Sequence, residues 1–161
     1  PLKGMKLEGF SLFYCNVTDL SPLAGMPIKC LGLIGIKGAD LTPLRGMKFD
    51  YLDLSWSKDT DLSPLAGTRI KSLRLCGSEV TDLSSLTGVQ ITHLDLSHAK
   101  VTDLSPLAGI PLVDLNLKWT KVKDLAPLRQ IKGLEVTVPR NCPIPGWLNK
   151  KAYPVYTVSG R

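Results

Sequence analysis

His93, Asp95 and Ser97 stand at alternate positions of one short segment, and Asp114 follows His93 by 21 residues. Serine, histidine and aspartate can carry out nucleophilic hydrolysis, and histidine with carboxylates can hold a metal. Alternate residues of a flat strand lie about 6.5–7 Å apart, too far for a hydrogen bond between nucleophile and base. No glycine-rich turn accompanies them to form an oxyanion hole. We therefore expect an ordinary polar face that is not an enzyme site and holds no metal or other cofactor.

The segment belongs to a repeat that runs through most of the chain. An aspartate within a Val-Thr-Asp-Leu-Ser-Pro-Leu pattern returns every 21 residues, at Asp19, Asp40, Asp61, Asp82, Asp103 and Asp124. Apolar residues stand twelve, nine and seven positions before each aspartate, and leucine stands one and four positions after it. Repeats of this length are typical of solenoids, in which each unit contacts its neighbours.

Each repeat divides into two predicted elements. The Leu-x-Leu part alternates with period two and predicts a short strand. The Asp-Leu-Ser-Pro-Leu part predicts one helical turn, in which aspartate accepts hydrogen bonds from free N–H groups and proline stands early. A glycine with positive φ is expected to end the turn. Since one strand and one turn cannot bury their own leucines, the coils must stack, with a parallel sheet on the concave face and short helical turns on the convex face.

These patterns resemble bacterial leucine-rich repeats of the D-L-S-P-L type, found in internalins and in repeat regions of planctomycete-type multidomain proteins. The resemblance covers residues 1 to about 138. At residues 20–27 and 104–111, where Leu-Ser-Pro-Leu-Ala-Gly precedes Met-Pro or Ile-Pro, the chain resembles the planctomycete-type repeats most. It implies a leucine-rich-repeat solenoid whose concave sheet binds another protein. The column that usually carries asparagine departs from the family pattern, so backbone and hydroxyl contacts are expected there; it reads Cys15, Ile36, Ser57, Ser78, Ala99 and Thr120.

The two ends of the chain differ from each other. Residues 1–5 are in phase with residues 22–26, which predicts a solenoid, residues 1–138, that is part of a longer array. The alternative is a natural start with an incomplete coil. Val136 and Val138 predict a seventh strand. The Pro-rich segment 139–161 excludes helix and central strand, and it either caps the last coil with Trp147 and Leu148 or links to another domain.

Composition narrows the class of partner. Twenty Lys and Arg against 14 Asp and Glu give a net charge of +6, spread without the dense basic runs that favour nucleic acid. The longest uncharged apolar stretch, residues 30–36, is too short to span a membrane. The repeat places no two cysteines within disulfide reach and their spacing matches no zinc site. This favours a cytoplasmic location, with the cell surface or secretion as the alternative; the four are Cys15, Cys30, Cys76 and Cys142.

Because coils stack about 4.8 Å apart, each alignment column becomes a row of side chains across the surface. Five positions before the aspartate, aromatic and small residues alternate in what we call the aromatic row: Tyr14, Gly35, Trp56, Gly77, His98 and Trp119. Tyrosine and tryptophan are frequent interface anchors, which favours a binding role on the concave sheet. The alternative is packing, with each ring lying over the neighbouring glycine.

Eight positions before the aspartate runs a second row, the polar row: Ser11, Gly32, Asp53, Arg74, Asp95 and Asn116. Arg74 is expected between two carboxylates on adjacent strands, in pairs worth about 0.2–1 kcal/mol each. These pairs form either an internal ladder that sets the register or a patch that binds the partner's charges. The predicted binding set is therefore the four rings of the aromatic row with Asp53, Arg74 and Asp95. The alternative function is a structural spacer or regulatory arm that positions a neighbouring domain.

Overall fold

The structure, a computed structural model, describes residues 7–58, 61–139, 142–143 and 145–148. These residues contain seven strands in one parallel sheet, and each strand pairs with the next in chain order. The register advances by 21 residues at every step, for example from Leu31 to Leu52. The strands are β1 (Gly9–Phe13), β2 (Cys30–Ile34), β3 (Lys48–Asp53), β4 (Arg69–Arg74), β5 (His93–Asp95), β6 (Asp114–Asn116) and β7 (Glu135–Thr137). The predicted solenoid with a parallel sheet is confirmed.

One 3₁₀ turn lies opposite the sheet in each coil and begins two residues after the repeat aspartate. The aspartate Oδ1 accepts a hydrogen bond of 2.8–2.9 Å from the N–H of that first turn residue, as predicted. The glycines after the first five turns have φ of 70–82°. The turns are Ser21–Leu23, Thr42–Leu44, Ser63–Leu65, Ser84–Leu86, Ser105–Leu107 and Ala126–Leu128.

The hydrophobic core runs the length of the solenoid between the sheet and the turns. In the second to sixth coils, both leucines of the Leu-x-Leu segment are at most 1% exposed. Leu7, Phe10 and Leu12 of the first coil are only partly buried. Past β7, Leu148 and Cys142 join the core. The in-phase residues 1–5 and most of the predicted tail, residues 149–161, lie outside the described residues.

The expected backbone and hydroxyl contacts hold the loop at three positions of the column that usually carries asparagine. Ser57 Oγ donates a hydrogen bond to the Leu33 carbonyl at 3.2 Å, and Thr120 Oγ1 donates to the Leu117 carbonyl at 2.8 Å. The backbone N–H of Ala99 donates to the Leu96 carbonyl at 2.9 Å. All four cysteines are free thiols. Across the described residues, no helix combines the length and apolar character that crossing a membrane requires.

The stacked leucines predict a large cost for truncation inside the sheet. Leu73 on β4 is fully buried between two neighbouring coils. We expect Leu73→Ala to lower the free energy of unfolding by about 2–5 kcal/mol, because it removes apolar contacts and leaves a cavity. Val113→Ala, at a position that is 50% exposed, is the control and should cost less than about 1 kcal/mol. Urea denaturation of both variants measures the difference, and equal losses would contradict this packing.

The capping aspartates predict a response to acid. Hydrogen bonds from the Ser105 hydroxyl and backbone N–H lower the pKa of Asp103, and similar bonds lower the pKa of Asp19, Asp40, Asp61 and Asp82. A folded-state pKa below the unfolded one contributes stability above the unfolded pKa, near pH 4, and this contribution is lost as the pH falls through the folded pKa. We therefore expect the contribution of these five aspartates to the free energy of unfolding to be level above about pH 5 and to fall below pH 4.

Ser105→Ala tests the cause of that shift. It removes the hydroxyl bond, which is the largest contribution to the lowered pKa of Asp103, and keeps the backbone bond. Carboxyl NMR titration should show the pKa of Asp103 rising toward its ordinary value while that of Asp19 stays unchanged. An unaltered Asp103 titration would show that the hydroxyl bond does not form in solution.

Candidate functional site

The aromatic row adopts a left-handed backbone in every coil. The φ angle is 48° at Tyr14, 59° at Trp56, 58° at His98 and 64° at Trp119, and Gly35 and Gly77 have similar values. Side-chain-bearing residues rarely adopt this conformation, because Cβ approaches the following carbonyl oxygen. Within the described part of the chain, these four are the only residues other than glycine with positive φ. The row is therefore a specialised backbone position in which the large rings are placed.

The row lies in the turn beyond the strands rather than on the strand face, which corrects the predicted position. Tyr14 directly follows β1, and Trp56 is the third residue after β3. Strand alternation alone would point this column inward with the core leucines. The left-handed turn reverses that direction, so Trp56 and Trp119 are each 49% exposed and Tyr14 is 70% exposed. The rings therefore line the C-terminal edge of the sheet.

Backbone hydrogen bonds between coils hold this conformation. The N–H of Tyr14 donates to the carbonyl of Ile34 at 2.7 Å, and the N–H of Trp56 donates to that of Cys76 at 2.7 Å. The N–H groups of Gly35, Gly77 and His98 make the same bond to the following coil, at 2.8–2.9 Å. The ladder of the sheet thus continues through the left-handed residues. These hydrogen bonds to the neighbouring coil can offset the local backbone strain of a positive φ.

Each glycine of the row makes room for the ring before it. A Cβ on Gly35 would stand 2.4 Å from Tyr14 Cδ1, and one on Gly77 would stand 2.5 Å from Trp56 Cε3. The rings of Tyr14 and Trp56 therefore lie over the backbone of the next coil. That is the packing arrangement considered from the sequence, and it coexists with substantial exposure of both rings.

Three rings of the row, in the third, fifth and sixth coils, lie close to one another. The ring centroids of Trp56 and His98 are 6.3 Å apart, and those of His98 and Trp119 are 5.9 Å apart with an interplanar angle of 28°. Lys118 Nζ lies 5.8 Å from the Trp119 ring, within range of a cation–π interaction. We call the rings of Trp56, His98 and Trp119 the aromatic ridge. It is continuous across the third to sixth coils.

Beside the ridge, Arg74 lies between two carboxylates of the polar row, as the alignment predicts. Its Nη1 is 3.9 Å from Asp53 Oδ2, and its Nη2 is 3.5 Å from Asp95 Oδ2. The Arg74 side chain is 44% exposed, so each pair contributes little to stability. A hydrogen bond to Tyr51 raises the pKa of Arg74, which keeps the guanidinium charged.

The polar row also shapes the turn that carries the ridge. Asp53 Oδ1 accepts a hydrogen bond from the Ser55 N–H at 2.9 Å, and Asp95 Oδ1 accepts one from the Ser97 N–H at 2.9 Å. Asn116 does the same for the Lys118 N–H at 3.0 Å. The residue capped in each case stands just before a member of the aromatic row. These side chains therefore satisfy the one N–H that the bend removes from the ladder.

Tyr51 also belongs to this cluster, although it was not predicted from the sequence. Its hydroxyl donates to Asp53 Oδ2 at 2.8 Å and accepts a hydrogen bond from Arg74 Nη1 at 3.4 Å. Burial raises the pKa of the Tyr51 hydroxyl, so it remains a donor at neutral pH. The available signal was its place on β3, one alternation before Asp53 and facing the same side.

The Ser/His/Asp set does not form a catalytic arrangement. The Asp95 carboxylate contacts Arg74 and the Ser97 backbone, and His93 Nδ1 lies 2.9 Å from Thr92 Oγ1. No hydrogen bond of these described residues joins His93 to Asp95 or Ser97, and Ser97 is buried. Asp114 pairs with His93 across the strands, and burial raises its pKa. Among the described residues, no group of three or more His, Cys, Asp or Glu side chains could hold a metal ion.

The 21-residue period, the parallel sheet and the single turn per coil define the chain as a leucine-rich-repeat solenoid. No protein-family profile and no curated protein matches it. Among solved structures it is similar to internalin C2 from Listeria monocytogenes, with 23% identity, a TM-score of 0.38 and coverage of 81% of this chain and 80% of that one. The narrower D-L-S-P-L type remains a prediction from the sequence.

Glycines that lie under a ring and glycines that lie in open space should differ in how much their substitution lowers the free energy of unfolding. Gly77 and Gly88 both have positive φ, but only a Cβ on Gly77 would collide with a ring. Gly88→Ala should lower the free energy of unfolding by about 1–2 kcal/mol through backbone strain alone. Gly77→Ala should cost more and shift the tryptophan emission, because the Trp56 ring must move. In a Trp56→Ala background the cost of Gly77→Ala should fall to that of Gly88→Ala, and failure of this cycle would contradict the ring–glycine contact.

Proposed function

We propose that the chain is a non-enzymatic recognition module that binds another protein along the C-terminal edge of its sheet. The contact surface is the aromatic ridge together with Tyr14, next to the Asp53–Arg74–Asp95 cluster. The observation that carries the proposal is that Trp56 and Trp119 each keep 49% of their surface exposed on a fixed left-handed backbone.

Fixed exposed rings are well suited to binding. Tryptophan and tyrosine bury a large area with little loss of side-chain entropy, and ordered anchors reduce the entropy lost on association. The His98 ring lies between the two tryptophans, at centroid separations of 6.3 Å from Trp56 and 5.9 Å from Trp119. Phe13 (60% exposed) and Tyr14 extend the apolar surface toward the first coil. A partner with complementary apolar side chains could therefore contact the whole ridge.

The ion-pair cluster supplies the polar part of the same surface. Arg74 is charged, 44% exposed and directed by two carboxylates, one of which is buried. Its guanidinium remains accessible to a partner's carboxylate or carbonyl groups. Charged groups at the border of an apolar surface contribute mainly orientation and specificity.

A structural spacer is the second candidate function, and one observation favours it. The rings of Tyr14 and Trp56 lie over Gly35 and Gly77 and shield backbone that would otherwise face water. In that case the row stabilises the solenoid and binds no partner. Removal of Trp119 distinguishes the two functions, because Trp119 stacks on His98 and does not cover one of these glycines.

The test is affinity capture from lysate of the source cells, followed by calorimetry with the purified captured protein. We expect Trp119→Ser to weaken binding by about 30-fold or more, as removal of an interface anchor worth 2 kcal/mol would. Trp147→Ser, which removes a 36% exposed tryptophan outside the row, is the matched control and should bind normally. Unchanged affinity of Trp119→Ser and Trp56→Ser, with folding intact by circular dichroism, would assign the row to packing and the partner to another surface, whereas capture of no protein by the original chain would favour the spacer.

A further inference from the structure

A second surface feature lies at the opposite edge of the sheet. A groove of about 340 Å³ is lined by Lys29, Lys48, Arg69 and Lys71 together with Asp50 and Gln90. We call it the basic groove. Lys48 and Arg69 are the first residues of β3 and β4, so the groove follows the N-terminal edge of the sheet. The aromatic ridge is at the C-terminal edge, and the two features share no residue.

Several exposed cations elsewhere on the described surface, and Lys29 of the groove itself, lie near carboxylates. Lys58 and Lys100 both pair with Glu79, Arg74 pairs with two aspartates, and Lys29 pairs with Glu8. Three groove cations have no carboxylate within ion-pair distance among the described residues, although Asp50 lines the same groove: Lys48, Arg69 and Lys71. Like charges on neighbouring strands repel each other. A bound anion would relieve that repulsion.

The backbone holds these three cations in a fixed arrangement. Lys48 pairs with Arg69 in the β3–β4 register, and Arg69 forms a bridge to Gln90 in the next coil. The carbonyl of Lys71 accepts hydrogen bonds from both the N–H and the hydroxyl of Thr92, at 3.1 and 2.8 Å. Their Cα positions are thus set by the sheet, which reduces the ordering cost of binding.

The length of the cationic stretch limits the size of the ligand. The positive charges occupy the second to fourth coils, which span two strand spacings, about 10 Å. The residue equivalent to Lys48 in the preceding coil is Pro27, and the residue equivalent to Arg69 in the following coil is Gln90. The equivalents of Lys71 in the preceding and following coils are Asp50 and Thr92. A nucleic acid strand needs a longer basic track to neutralise successive phosphates. The groove therefore fits one compact anionic group.

We propose that the basic groove binds a compact, multiply charged oxyanion of the phosphate-ester or sulfate-ester class. The planar guanidinium of Arg69 can donate two parallel hydrogen bonds to such a group, and the lysines add point charges on either side. The Gln90 amide can donate to a remaining oxygen. Asp50 opposes the anion from within the groove, which lowers the affinity and disfavours ligands that extend beyond the three cations.

The experiment titrates inorganic pyrophosphate into the protein at low ionic strength, followed by amide NMR and calorimetry. Shifts should concentrate at residues 48, 69, 71 and 90. Lys48→Gln/Arg69→Gln/Lys71→Gln should weaken binding at least tenfold, if each charge contributes about 0.5 kcal/mol. The control, Lys37→Gln/Lys121→Gln/Lys123→Gln, removes the same net charge elsewhere and should change affinity less than about twofold, as expected for screened distant charges.

Asp50→Asn provides the opposite test, because it removes the repelling carboxylate and leaves every proposed donor in place. It should tighten pyrophosphate binding by roughly threefold, the size of a solvent-screened charge contact. Separate titrations with O-phosphoserine and tyrosine O-sulfate then identify which ester is the better ligand. Equal weakening by the two triple variants, binding of none of these anions, or stronger binding of a single-stranded oligonucleotide than of pyrophosphate would each overturn the proposal.

Discussion

The unchanged 21-residue period is the constraint on which every other feature depends. In a parallel stack, each residue pairs with its equivalent in the next coil, so Leu52 meets Leu31 on one side and Leu73 on the other. One inserted residue would move the leucines of that coil to the opposite face of the sheet. Because no coil has one, apolar residues of the core meet apolar residues of the next coil, and each polar column becomes a continuous row. Surface chemistry is thereby organised along the solenoid.

The left-handed turn beside the sheet follows from the same ladder. Asp53 or its equivalents satisfy one N–H at the bend, and the next coil accepts the N–H of the left-handed residue. A ring at this position points outward and leans over the following coil. Two successive rings cannot both do so, since Gly77 has no room for a side chain beneath Trp56. His98 and Trp119 have no glycine between them, and their rings stack with an interplanar angle of 28°.

Sequence reasoning predicted what the period determines and missed what a single dihedral angle determines. The strands, the capping aspartates and the position of Arg74 between Asp53 and Asp95 all follow from aligning the repeats. The position of the aromatic row does not follow from that alignment, because its side chains are oriented by a positive φ, which the alternation of a strand does not predict. The alternation of Trp56 with Gly77 was the available signal, since glycine is the residue that most readily adopts that backbone. The basic groove was missed because its cations come from two columns, of which one also holds Pro27 and Gln90 and the other also holds Glu8 and Asp50.

The sheet separates the two proposed surfaces and gives each a different chemistry. The aromatic ridge follows the strand ends, where side chains leave a left-handed turn, while the basic groove follows the strand starts. Between them lies the polar row, in which Arg74 is already compensated by Asp53 and Asp95. A charge change at Lys48 or Arg69 is therefore separated from the ridge by the length of a strand and by this ion-paired cluster. Since charges more than about 10 Å apart at the surface are largely screened, loss of binding at one edge should leave the other intact.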